Sequence, residues 1–335
     1  MLSVPIVSLE HTVNRRRTPR PLAALVVGAA GALALGACGG AAADEPAADA
    51  PTAAGEAGTM TVEHAQGETE VELDPETVVV FDYASLDTLD TLGVDVAGVP
   101  QENLPDFLSD YAGADHENVG TLFEPDLEAI NAIDPDLVIV AGRSAAAYPQ
   151  LSEHWPTIDL SVDYATFMDD VHAHTELLGE IFGEQDLAAD ALADLDETVE
   201  QVRAATEGAG PGLILSTSGG EVTVYGEDSR FGLIHSVLGV PAAVNEVEAL
   251  PHGEAISFEM IRDTNPDWLF VNDRDAAIGQ SGESAEAILD NELVHATTAW
   301  EKEQVVYLDA QRWYIVMAGV DNTREMFAQI GDAFA

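Results

Sequence analysis

Positive charge is rare in this chain, so where it sits is informative. Against 61 Asp and Glu there are 12 Lys and Arg, and four of these, Arg15, Arg16, Arg17 and Arg20, crowd the N-terminus. Two of the remaining eight, Arg143 and Arg274, directly follow apolar runs, in "LVIVAGR" and "WLFVNDR". A guanidinium just past the carboxyl end of a buried strand stands where open α/β sheets bind ligands. Its planar fork can hold paired anionic oxygens while keeping its charge. A third, Arg230 in "GEDSRFGLIHSVLG", is expected to open a helix capped by Ser229. There the helix dipole and the guanidinium would favour the same anion. Pairing with local carboxylates (Asp136, Asp273, Asp228) accounts for the same residues. The matching placement of Arg143 and Arg274 favours a ligand. Arg203, Arg262 and Arg324 lie in helical patterns and are expected to balance nearby acids.

No catalytic constellation emerges. His172 and His174 are two apart on a helical pattern and point to different sides. His64, His116 and His154 lack partners at metal-ligand spacing. His252, in "LPHGEAIS", is a loop histidine open to a functional role. "GRSAA" around Ser144 lacks the closing glycine of a nucleophile elbow.

An internal repeat indicates the elements that hold these residues. "DLEAINAIDPDLVIVAGR" (126–143) aligns without a gap on "SFEMIRDTNPDWLFVNDR" (257–274), 131 residues later. Glu128 falls on Glu259, Pro135 on Pro266 and Arg143 on Arg274. Each copy predicts a short helix, a turn at Asp-Pro-Asp or Asn-Pro-Asp, then a buried strand. The apolar runs "VVVF", "LVIVA", "LILST" and "WLFV" suit parallel sheets covered on both faces. Between the copies, Leu187, Leu192, Leu195, Val199 and Val202 recur at helical spacing. They predict one helix over 185–208, about 30 Å long, stiff enough to join two lobes. The expected organisation is an α/β fold of two Rossmann-like lobes, 61–184 and 209–335, with parallel-rich sheets and helix 185–208 between them.

Composition bounds the partners. A net charge of −49 repels nucleic acid and anionic lipid surfaces. Near-absence of lysine (Lys302 alone) with dense carboxylates fits a high-salt habitat, since at 1 M salt the screening length falls to about 3 Å. The basic N-terminus, the apolar run "PLAALVVGAAGALALGA" and "LGAC" form a signal-peptide pattern over 1–37. Cys38, the only cysteine, forms no intramolecular disulfide. Residues 38–60 are small and acidic and predict a flexible tether. The Arg15–Arg17 triplet leaves general and twin-arginine export both open.

"VVVFDYASLDTLDTLGVDVAGVP", "NVGTLFEPDLEAINAIDPDLVIVAGR", "DSRFGLIHSVLGV", "HGEAISFEMI" and "VVYLDAQRWYIVMAG" together resemble the iron–siderophore-binding lipoproteins of ABC importers. The resemblance covers about 61–335 and is closest to the catecholate branch, serving petrobactin- and enterobactin-type siderophores. It implies a class III substrate-binding protein of the helical-backbone metal-receptor type. Such a protein is no enzyme and has no intrinsic cofactor; its cargo is Fe(III) held as a siderophore complex between the lobes. Arg143, Arg230 and Arg274 would match a ring of arginines facing catecholate oxygens. His252 and Tyr314 would complete the iron shell of four-donor siderophores. Glu128 and Glu259 would meet basic residues of the permease, which works with an ATPase subunit. "LGAC" resembles a lipobox, implying lipid on Cys38 and a monomer anchored to the outer face of the cell membrane. Arg312 and "IVMAG" after Trp-Tyr depart from the family pattern. Haem, cobalamin or a hydroxamate siderophore would keep the fold but would not need three arginines. A secreted hydrolase using Ser144 or Ser229, and a zinc-binding protein of the related importer family, are the alternatives of other kinds.

Overall fold

The computed structural model describes residues 58–335 apart from 245, 246, 248, 249 and 251. The leader, Cys38 and most of the tether lie outside the described residues. The described part opens with an antiparallel hairpin, β1 (Thr59–His64) and β2 (Gly67–Glu72). This hairpin is not among the elements expected from the sequence, and it begins just before the expected start at residue 61.

The N-terminal sheet comprises β3 (Val78–Val80), β4 (Gly98–Val99), β5 (Glu117–Asn118), β6 (Leu137–Val140) and β7 (Thr157–Asp159). Its order is β5-β4-β3-β6-β7, parallel throughout. Its crossovers carry α1 (Tyr83–Thr91), α2 (Leu127–Ile133) and α3 (Tyr148–Leu151), and it leads into α4 (Phe167–Phe182). Next come α5 (Gln185–Thr206) and the C-terminal sheet: β8 (Gly212–Ser218), β9 (Glu221–Tyr225), β10 (Glu254–Ala255), β11 (Trp268–Asp273) and β12 (Val305–Tyr307). Its order is β10-β9-β8-β11-β12. β8, β11 and β12 pair in parallel, whereas β9 pairs antiparallel with β8 on one side and β10 on the other. The cause is "SGGE". Gly219 and Gly220, at φ 59° and 82°, make the two-residue turn with both central residues left-handed that closes a hairpin between Ser218 and Glu221. The remaining helices are α6 (Leu233–Ser236), α7 (Phe258–Thr264), α8 (Arg274–Ala277), α9 (Ala285–Leu289), α10 (Glu292–His295), α11 (Thr298–Glu301) and α12 (Val320–Ala333).

The repeated halves match in their caps. Asp126 and Ser257 accept first-turn N–H groups of α2 and α7. Asp134 and Asn265, again 131 apart, end those helices at φ 54° and 47°. Asp and Asn tolerate this left-handed stop better than most residues.

Alternation along the strands explains their apolar runs. Val78, Val80, Leu137 and Ile139 of the first sheet, with Ile214 and Phe270 of the second, face one shared core that includes α5 and α12. Leu213, Leu215, Leu269 and Val271 face a second core, and Val79, Val138 and Val140 a third. Two-sided burial therefore selects continuous hydrophobicity. Helix α5 packs on α4 and α12. Gly179 on α4 permits this, because a Cβ there would come within 2.7 Å of the Ala188 Cβ. The buried stripe of α5 is Ala188, Leu192, Leu195, Val199 and Val202. Leu187, expected in it, is 44% exposed; it stands one residue, about 100° of helix, off the stripe.

Candidate ligand cleft

Each site arginine is delivered by a different local device. After β6, Gly142 at φ 49° turns the chain and presents Arg143. After β11, Asp273 caps α8 by accepting the Ala276 N–H at 2.9 Å, which makes Arg274 the first helical residue. Arg230 does not open a helix, contrary to the sequence reading. α6 begins at Leu233, and Ser229 caps nothing: its hydroxyl donates to Gly226 O at 2.6 Å. A compact turn over 226–232 intervenes, and a Cβ at Gly232 would collide with Glu227 O.

Tyr314 stands in a π-helical turn, Gln311–Val316. Asp309 Oδ1 accepts from the N–H groups of Gln311 and Arg312, both at 3.0 Å. Buried Trp313 donates to Gln329 Oε1 at 3.0 Å. Buried Asn322 donates to Met317 O and Ala318 O at 3.1 and 3.2 Å, which fixes the exit.

The three arginines converge on Tyr314. Their guanidinium carbons lie 5.4 Å (Arg143), 4.7 Å (Arg230) and 5.8 Å (Arg274) from its ring centroid. Arg274 Nε donates to the phenol oxygen at 2.9 Å, and its Nη1 to Ser218 Oγ at 3.1 Å. Arg143 Nη2 and Arg230 Nη2 both donate to Tyr314 O, at 2.7 and 2.8 Å. Among the described residues neither Arg143 nor Arg230 has a carboxylate at ion-pair distance, so Asp136 and Asp228 do not neutralise them; Arg274 has Asp275 at 4.0 Å. Asp136 instead accepts the Thr77 N–H. Burial, then the charge of Arg230, lowers the Arg143 pKa from its ordinary value. The Arg230 Nε is buried without a partner among the described residues.

A cleft opens beside Arg143 and Arg230, lined also by Asp82, Leu122, Tyr164 and the Ile315–Ala318 segment that follows Tyr314. Asp82, just past β3, caps α1 through the Ser85 N–H at 2.7 Å. Burial raises its pKa, opposed by the Ser85 hydrogen bonds and by Arg143. Tyr164 is a cleft residue not among those the sequence singles out. It lines the cleft, is 37% exposed, and its ring stacks 6.5 Å from Phe167. The available signal was its place shortly after β7, on the same carboxyl edge as Arg143.

His252 is exposed, in the connection between β9 and β10, and makes no hydrogen bond among the described residues. Several other histidines have partners. His64 pairs with Thr69, His116 with Val96 O and His172 with Asp196. Among the described residues the buried Ser144 hydroxyl hydrogen-bonds only to the Ala141 backbone and the Ser229 hydroxyl only to Gly226 O, so neither meets a base there. Glu128 and Glu259 are exposed in the first turns of α2 and α7. Arg262 pairs with Asp263 and Arg324 with Asp321, each at 2.6 Å. Arg203, expected to balance an acid, instead donates to Val237 O; the backbone after α6 comes within its reach.

Residues 78–312 match the family model described as "Periplasmic binding protein". The petrobactin-binding protein YclQ of Bacillus subtilis is 38% identical over 278 residues, 82% of this chain and 87% of its own. Its crystal structure superposes with a TM-score of 0.80, covering 83% of this chain and 99% of that one. The ferric-anguibactin-binding protein FatB of Vibrio anguillarum is 35% identical, over 79% of this chain and 84% of its own. The periplasmic catecholate-siderophore binding protein VctP of Vibrio cholerae superposes at TM-score 0.77 and 31% identity, over 82% of this chain and 99% of that one. With both its elements and its sequence matched across the two lobes, the chain belongs to the periplasmic binding protein family.

Proposed function

We propose that this protein captures a ferric catecholate siderophore in the cleft at Tyr314 and hands it to an ABC permease. The observation that carries the reading is three guanidiniums around one phenol, two of them without a carboxylate partner among the described residues, in a chain of net charge −49. A ferric tris-catecholate is a trianion that the molecule as a whole repels. A fixed contact at 4 Å contributes roughly 4 kcal/mol at an effective dielectric near 20, before desolvation. Several such contacts outweigh a diffuse field that salt screens. The names of YclQ and VctP, a petrobactin binder and a catecholate-siderophore binder, support the same ligand class.

When the siderophore offers six donors, iron needs nothing from the protein. When it offers four, the Tyr314 phenol loses its proton and coordinates iron, and His252 supplies the sixth ligand. Cys38 carries a lipid anchor that keeps the monomer at the extracytoplasmic face of the cell membrane. Glu128 and Glu259 dock on basic residues of the permease.

Titration of ferric tris-catecholate, followed by quenching of Trp155, Trp268, Trp300 and Trp313, tests the reading. Saturable quenching that a ferric hydroxamate does not reproduce is expected. Equal response to the hydroxamate would reassign the cargo.

A further inference from the structure

Arg143 belongs to the N-terminal lobe, yet both its terminal nitrogens are bound by the main chain of the segment that follows the C-terminal sheet. Nη1 donates to Ile315 O at 2.8 Å and Nη2 to Tyr314 O at 2.7 Å. These carbonyls need donors because the π-helical turn stops there. In a continuing π-helix the Val320 N–H would bond to Ile315 O, five residues back. Instead Met317 reverses the chain at φ 66°, and the Val320 N–H donates to Thr88 Oγ1 at 3.2 Å. A buried carbonyl left unpaired is costly; Arg143 pairs Ile315 O and shares Tyr314 O with Arg230. The same turn is tied to the N-terminal lobe at its other end. Gln311 Oε1 accepts the Asp106 N–H at 3.1 Å, and the Arg312 guanidinium lies 4.0 Å from the Phe107 ring centroid.

We infer that Arg143, besides being one of the three guanidiniums at the cleft, is a positioning residue. It clamps the Tyr314–Ile315 main chain to the carboxyl edge of the first sheet before any ligand arrives. In doing so it sets the Tyr314 phenol against Arg274. Part of its effect on binding therefore reaches the ligand through Tyr314, in addition to its charge. The clamp stands on the ligand-free geometry; only its effect on iron binding rests on the proposed cargo.

Hydrogen exchange of the ligand-free protein, followed over residues 311–319, tests the clamp directly. Arg143→Met should speed exchange there about tenfold or more, with β3 and β8 unchanged. Arg143→Lys keeps the charge but offers one nitrogen in place of a fork, so exchange should rise there too. In both variants the phenolate-to-iron charge-transfer band formed with a ferric bis-catecholate should weaken or shift. Unchanged exchange in ligand-free Arg143→Met would overturn the inference. So would an Arg143→Lys variant equal to wild type in both exchange and band. If the wild-type protein binds no ferric catecholate, the proposed cargo fails, and the exchange result still decides the clamp.

Discussion

Replacing Arg230 by Ala should weaken ferric tris-catecholate binding more than replacing Arg274. Arg230 holds one main-chain contact, to Tyr314 O, and its buried Nε has no partner among the described residues. An unpartnered buried donor costs about 1–3 kcal/mol, which an incoming anion would recover. Loss of the charged contact removes a further 2 kcal/mol or so. Their sum, about 3–5 kcal/mol, corresponds to a loss of roughly a hundredfold to a few thousandfold. Arg274 already donates to the Tyr314 phenol and to Ser218 and lies near Asp275. Ligand binding there exchanges existing hydrogen bonds for new ones, so Arg274→Ala should cost about ten- to a hundredfold. Arg262→Ala and Arg324→Ala remove cations already paired at the surface and should change affinity by less than about threefold. Tryptophan-quenching titrations at two salt concentrations measure all four. Equal losses from Arg262→Ala would mean that bulk charge governs binding; an Arg230→Ala variant with wild-type affinity would remove that residue from the site.

Four further outcomes are expected. Tyr314→Phe and His252→Ala should weaken a four-donor ferric complex far more than a six-donor one, and equal losses for both ligands would exclude direct coordination. Burial pushes the Asp87 pKa up to about 7, against the Asn322 N–H it accepts at 2.9 Å. Its folded pKa therefore exceeds the unfolded value near 3.9, so its contribution to stability is full below about pH 4 and is lost as pH rises through about 7. The Tm advantage of wild type over Asp87→Asn should shrink across that window, and a difference independent of pH would refute this. The Glu128→Ala, Glu259→Ala double variant should bind ligand normally yet fail in cellular uptake; unchanged uptake would clear both residues. Cys38→Ala should release soluble protein or leave unprocessed precursor, and a variant still processed and membrane-bound would reject the lipid anchor.

The 131-residue repeat, the apolar runs and the long helix were legible because they are local. A helix–turn–strand unit is written in its own caps and spacing, and two-sided burial of a strand leaves no polar alternation to hide it. Arg143 and Arg274 could be placed at strand ends for the same reason. The mixed character of the second sheet was also local, carried by Gly219 and Gly220, but the apolar runs drew the reading toward parallel pairing. What no local pattern contains is the meeting at Tyr314. Its carbonyl accepts from Arg230, 84 residues away, and from Arg143, 171 away, while its phenol accepts from Arg274, 40 away. Residue type and strand position made these arginines candidates for an anion. Only the packing of both lobes on α5 and α12 decided that one of them faces a main chain and another keeps an unpartnered N–H. Those assignments depend on which carbonyls the ended π-helical turn leaves exposed, and that is a property of the assembled chain.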